Sequence, residues 1–201
     1  MKKLTAILLL VALLVTMTAC GSDKNDPTVD PTVNTTEGKN ESTEPTTAPT
    51  EAPATNLTGT VEELIGKLIE AQPVEFMGGC MPIDLTDKSE DGLWMLSSYT
   101  GLSSAESITE AAFYEAMMGS IAYSLVMVRV AEGKDAKTVA QTMKDNINPR
   151  KWICVGADQV MAAGYGDVVM FIMVDSNLGL NAQSYVDAFA ALCGGKVDFA
   201  I

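Results

Sequence analysis

Hydrophobic and polar positions alternate in a few recognisable periods along residues 57–201. Val61, Leu64, Ile65, Leu68 and Ile69 recur at helical spacing, and Glu62, Glu63, Lys67 and Glu70 fill the opposite face. Thr60 and Glu63 form a capping-box signature at the start, and Pro73 closes the helix. Residues 76–85 are broken by Gly78-Gly79 and Pro82, which predicts a loop with at most an irregular strand. Leu93-Trp94-Met95-Leu96 with Tyr99 reads as a short strand before a Thr100-Gly101 turn. Residues 108–118 are rich in Ala, Glu and Met, so local propensity chooses a helix, although their place before a strand also permits a strand. Ile121 to Val130, with Tyr123, Leu125, Val126, Met127, Val128 and Val130, is nearly unbroken apolar sequence and predicts a core strand.

The second half repeats the theme. Asp135 caps a helix whose apolar stripe is Ala136, Val139, Ala140, Met143 and Ile147, and Pro149 ends it. Residues 151–166 read as a helical turn or a hairpin. Val168 to Val174 predicts another core strand, Asn181 caps a last helix with Tyr185, Val186 and Phe189 inward, and residues 197–201 suggest a short closing strand. The expected class is α+β, a small mostly antiparallel sheet with helices packed on one face. A right-handed βαβ crossover through residues 134–147 fits the same spacing. Val128, Val139, Met143, Val169, Phe171, Val186 and Phe189 are expected to share one helix-on-sheet layer.

Composition changes abruptly before residue 57. Residues 21–56 are dominated by Thr, Pro, Asn, Glu, Asp and Gly, with Val29 and Val33 the only large apolar side chains. Such a segment buries too little surface to offset the entropy of ordering, so a disordered tether is expected, with a single domain over 57–201. Upstream, Met1-Lys2-Lys3 precedes the apolar run Leu4 to Met17, and Thr18-Ala19 leads into Cys20. A charged start, a short apolar run and small residues are the parts of a signal peptide, here residues 1–19. Ending on cysteine resembles the lipobox of bacterial lipoproteins. That resemblance implies acyl chains such as palmitate on Cys20, a membrane partner, and a chain anchored at the cell membrane facing outside the cytoplasm.

Charge and cysteine usage then exclude several chemistries. The chain has 26 acidic and 13 basic side chains, a net charge of −13 and no histidine. An acidic chain without a cationic groove repels a phosphate backbone, so nucleic acid is not an expected partner. Cys80, Cys154 and Cys193 form no Cys-x-x-Cys element; one disulfide among them would leave a thiol unpaired, and spacing does not choose the pair. The apolar neighbours Trp152, Ile153 and Val155 suggest that Cys154 is buried. Asp84, Asp87, Glu90 and Asp91 lack the regular spacing of a twelve-residue calcium loop and read as a solvated acidic turn. Ser97-Ser98 and Ser103-Ser104 have no nucleophile elbow or Ser-x-x-Lys motif, and the glycine pairs make no phosphate loop. No catalytic residue, metal site or cofactor is therefore expected.

The residues left with binding chemistry are Trp94, Tyr99, Trp152 and Tyr165, which offer flat apolar faces with polar handles, and Arg150 for an anionic group. Ordinary core packing is the competing reading of both tryptophans. Met77, Met81, Met117, Met118 and Met161 are candidates for an adaptable surface; Met95, Met127, Met143, Met170 and Met173 read as core fillers.

The order of the Tyr123–Val130 strand, Ala131-Glu132-Gly133-Lys134-Asp135-Ala136, Val139, Arg150 and the Gly166–Met173 strand resembles an uncharacterised family of bacterial lipoproteins, found mainly in Gram-positive anaerobes. In that family a polar or acidic residue opens the first strand and Gly-x-Tyr-Val opens the later one. Ser124 and Gly166-Asp167-Val168 mark this chain as a divergent member. The resemblance implies an anchored α+β domain and supplies no activity. The expected role is non-catalytic binding or accessory work at the envelope, with protein, peptide or carbohydrate as partner. The alternative is an envelope hydrolase acting on peptidoglycan or peptide.

Overall fold

Six antiparallel strands carry the fold, in the spatial order β1-β2-β3-β5-β4-β6. The computed structural model describes residues 56–201. The expected signal peptide, Cys20 and the expected tether up to residue 55 lie outside the described residues. The strands are β1 (Gly78–Pro82), β2 (Ile108–Ala116), β3 (Tyr123–Val130), β4 (Gln159–Tyr165), β5 (Val168–Val174) and β6 (Phe199–Ala200). The helices are α1 (Val61–Ala71), α2 (Glu90–Thr100), α3 (Ala136–Asn146) and α4 (Ala182–Leu192). The α+β architecture is as expected, an antiparallel sheet with helices on a face.

Local signals explain most boundaries. Thr60 Oγ1 accepts the Glu63 amide proton at 3.3 Å while Glu63 returns a carboxylate to the Thr60 amide at 3.1 Å, so both halves of the capping box form. Asp135 accepts from the Thr138 amide and Asn181 from the Gln183 amide, opening α3 and α4 where their sequences indicate. Residues 151–166 resolve as a loop followed by β4, which forms a hairpin with β5. The chain turns through Gly166 at φ 58°. β3 and β5 pair antiparallel and so do β5 and β4, which leaves β3 and β4 parallel: the crossover through α3 joins β3 to β4, with β5 inserted between them.

Two segments depart from the expected elements. Residues 90–100 are helix α2 and not a strand. Ser89 caps the helix through the Gly92 amide, Gly92, Leu96 and Thr100 are buried at four-residue spacing, and Gly101 ends it at φ 72°. A Cβ at Gly92 would lie 2.5 Å from the Asp87 carboxyl carbon, so only glycine lets the first turn seat against that loop. Residues 108–116 are strand β2, against their helix propensity. Their pairing with β3 on one side and β1 on the other outweighs a preference worth only tenths of a kcal/mol per residue.

The sheet is apolar on both faces, and both faces are covered. Tyr123, Leu125 and Met127 of β3 point to the side packed by α1 and α4, with Leu64, Leu68, Tyr185 and Phe189. Val126, Val128 and Val130 point to the side of α2 and α3, with Leu96, Val139 and Met143. The single layer expected for seven core residues is thus split: Val128, Val139, Met143, Val169 and Phe171 lie on one side, Val186 and Phe189 on the other. The strict alternation of strand side chains requires this division, and unbroken apolar strands such as β5 are its sequence signature.

Candidate functional site

Alternation along β2 and β3 also places two polar side chains among apolar ones. Glu115 shares a face with Phe113, and Ser124 with Val126, and the strand register sets Glu115 directly opposite Ser124. Both lie at the end of the sheet where α2 and the loop after α3 converge. That loop is fixed by an Ala157 amide bond to the Pro149 carbonyl and by an Ile153 amide bond to the Gly119 carbonyl, each 2.8 Å. The second bond ties it to the β2–β3 connection. Lys151, between these anchors, is thereby turned inward.

Lys151 Nζ lies 2.9 Å from Glu115 Oε1, with side chains only 14% and 16% exposed. It also donates to Ser124 Oγ at 3.3 Å and sits 3.9 Å from the centre of the Tyr99 ring. Phe113 stacks on Tyr99 with ring centres 3.6 Å apart, so the ammonium occupies the other ring face. The Trp152 indole N–H donates to Glu115 Oε1 at 3.1 Å. Burial lowers the Lys151 pKa below its ordinary value, and Glu115 opposes that shift without cancelling it. Burial raises the Tyr99 phenol well above its usual range, reinforced by the negative charge of Glu115.

Above this cluster opens a cleft of about 560 Å³, lined by α2, the end of β2 and the 146–153 loop. Trp94, Ser97 and Ser98, which recur on one face of α2, line the cleft together with Asn146, Asn148, Trp152 and Ile153. Trp94 is 63% exposed. Core packing therefore does not account for it, although it sits in an apolar run.

Three of the five aromatic or cationic candidates, Trp94, Tyr99 and Trp152, meet in this cleft. Tyr99 contributes its edge, both faces being occupied. Arg150 is exposed and outside the lining; its backbone amide donates to Asn148 Oδ1. Tyr165 is at the far end of β4, partly buried against the α1–α4 side. Glu115 and Lys151 line the cleft without having been singled out in the sequence, and Ser124, noted there only as the polar residue at the start of its strand, is buried beneath them. An inward-facing acid two positions after Phe113 is detectable only once the segment is known to be a strand.

Other candidates fall elsewhere. Asp84 and Asp87 accept hydrogen bonds from Thr86 and Ser89, which lower both carboxyl pKa values and make them turn-formers. Among the described residues no three His, Cys, Asp or Glu side chains are placed to hold a metal ion. Cys154 is exposed at φ 61°, correcting the expectation of burial: its apolar neighbours belong to a loop, where Ile153 is itself 71% exposed. Cys80, Cys154 and Cys193 are all unpaired among the described residues. Met77, Met81, Met117 and Met118 are exposed as the adaptable-surface reading requires, whereas Met161 packs on the core.

A larger depression of about 730 Å³ lies at the opposite end of the sheet, between the 130–137 turn and the residues Asp167 and Asp198. Its neighbour Arg129 is committed to Asp167 at 2.9 Å, to Glu110 at 3.3 Å and to the Gly59 carbonyl at 2.7 Å, which fastens the start of α1 to the sheet. Phe199 is its single aromatic lining residue. The smaller cleft, with exposed indole and fixed polar floor, has the composition of a recognition site. Compared with protein-family models, curated proteins and solved structures, the chain matches none of them.

Proposed function

We propose that the chain is a surface lipoprotein, held at the membrane through Cys20, whose folded part binds an envelope ligand without transforming it. The observation that carries the binding reading is Trp94, a 63% exposed indole facing a cleft whose floor is immobilised by the Lys151–Glu115 pair. A rigid floor and an accessible aromatic platform reduce the ordering cost of recognition. The signal sequence, the lipobox-like Cys20 and the Pro/Thr-rich spacer support the location, as does the resemblance to anchored bacterial lipoproteins. Two acyl chains give stable attachment where one gives marginal attachment.

The hydrolase alternative has less in its favour. Among the described residues Glu115 is the only carboxylate lining the cleft, and its Oε1 is occupied by Lys151 and Trp152. A two-carboxylate relay would have to recruit its second acid from outside the cleft.

The test uses the full chain extracted from membranes. Mass analysis should find the mature protein beginning at acylated Cys20; a soluble, unacylated product would refute the anchor. Residues 21–201, made without the signal and Cys20 and therefore free of acyl chains, should co-sediment with isolated envelopes, and Trp94→Ala should release them while leaving the thermal melt unchanged. Retention that ignores Trp94→Ala would refute the cleft as the binding site. New covalent products in the envelope fraction, lost with a cleft substitution, would replace binding by catalysis.

A further inference from the structure

We infer that the cleft selects a neutral saccharide ring, in preference to a charged ligand or an extended peptide; this rests on the binding reading above. Charge is the first consideration. The cleft is lined by one cation and one anion, Lys151 and Glu115, and they neutralise each other at 2.9 Å. The ammonium directs its protons to Glu115, to Ser124 Oγ and to the face of Tyr99, so none remains to capture a carboxylate or phosphate. A cationic ligand would have to compete with Lys151 for the same carboxylate. The overall charge of −13 adds repulsion against polyanionic polymers.

Extended peptides are disfavoured by backbone geometry. The outer edge of β2 beside the cleft is already paired with β1, from Gly78 opposite Ala116 to Pro82 opposite Ala112. The open edge of the sheet beyond β2 belongs to β1, none of whose residues lines the cleft, so strand addition there would not fill it.

What the cleft does present suits a hydroxylated ring. Trp94 offers an open aromatic face for the C–H side of a pyranose. Asn148 Oδ1 accepts from the Arg150 amide, leaving its NH₂ to donate, while Asn146 Nδ2 donates to the Thr142 carbonyl, leaving its oxygen to accept. Neutral donors and acceptors lining the same cleft as an exposed indole match the hydroxyls of a ring that has an apolar face. The volume of about 560 Å³ falls within the ~300–1,000 Å³ typical of small-ligand sites.

The full chain, extracted in a sugar-free detergent, should be titrated by tryptophan fluorescence and calorimetry. The probes are neutral disaccharides built from glucose, galactose, mannose and N-acetylglucosamine, with diglucuronate, diglucosamine and tetra-alanine for comparison. At least one neutral disaccharide should saturate, with the charged and peptide probes about tenfold weaker or more. Trp94→Ala should lose about tenfold in affinity, Trp94→Phe should recover most of it, and Tyr165→Ala should change nothing. Absence of saturation by every neutral disaccharide up to about 10 mM overturns the inference, as does equal or tighter binding of a charged probe or the peptide. In that event Trp94-dependent retention on envelopes would still uphold the cleft as a binding site, so the two readings fail separately.

Discussion

Glu115→Gln isolates the energetics of the cleft floor, because it removes a charge and almost no volume. In the native protein Glu115 Oε1 accepts from Lys151 at 2.9 Å and from Trp152 at 3.1 Å. The variant keeps an amide oxygen able to accept from Lys151 but removes the negative charge that balances its ammonium, which is only 14% exposed. Removing one partner of a buried pair costs about 3–5 kcal/mol, and a charged hydrogen bond contributes about 1.5–3. The remaining exposure and the amide oxygen, still able to accept from Trp152, place the expected loss at ~2–3 kcal/mol near pH 7. Burial already holds the Lys151 pKa below its ordinary 10.5, and loss of Glu115 lowers it further. In the window between that lowered folded value and 10.5 the unfolded chain binds more protons, so stability gains with rising pH as the folded lysine becomes neutral. The deficit of the variant should therefore shrink from pH 7 towards pH 10. Urea unfolding of wild type and variant across that range measures it. Adding Lys151→Met should recover part of the stability at pH 7, since removing both ions of a buried pair costs less than removing one. A loss under ~0.5 kcal/mol at pH 7, or a deficit that does not change with pH, would refute the buried-pair reasoning.

Three further outcomes are expected. Phe171→Ala, at a fully buried position of the α2–α3 side, should cost about 3–5 kcal/mol in urea unfolding, and a change within ~0.5 would mean loose packing. Tyr123→Phe should be nearly neutral or stabilising in the same assay: the Tyr123 and Tyr185 hydroxyls are buried without partners among the described residues, so deletion removes a desolvated group and breaks no bond. Alkylation followed residue by residue by mass spectrometry at pH 8 should label Cys154 quickly, Cys80 more slowly because burial and the nearby Glu62 charge raise its thiol pKa, and Cys193 only on unfolding. Cys193 is 7% exposed and burial pushes its thiol up to about 12. Equal labelling of all three would contradict that burial.

The helices α1, α3 and α4 were legible because their information is local. Thr60, Asp135 and Asn181 bond to amides two or three residues away, and the apolar stripes repeat within one turn. The strands β3 and β5 were legible for a similar reason, since an unbroken apolar run bounded by turn residues has few other uses. Segment 90–100 misled because Leu93, Trp94 and Met95 look like buried strand residues, whereas the face that packs is Gly92, Leu96 and Thr100. Segment 108–116 misled in the opposite sense, its helix-favouring alanines and glutamates being overridden by partners on both sides.

The amino-acid sequence by itself determined the α+β class, most element boundaries, the aromatic candidates and the motifs for an anchored location. Tertiary structure alone decided that helices cover both sides of the sheet and that β3 lies between β2 and β5. It also decided that Trp94 and Trp152 meet around a buried Lys151–Glu115 pair while Tyr165 stands at the far end of β4. The physical reason is range. Caps and periodicities act over three or four residues, but Glu115 reaches Lys151 only after β2 has paired with β3 and the loop has closed onto Gly119.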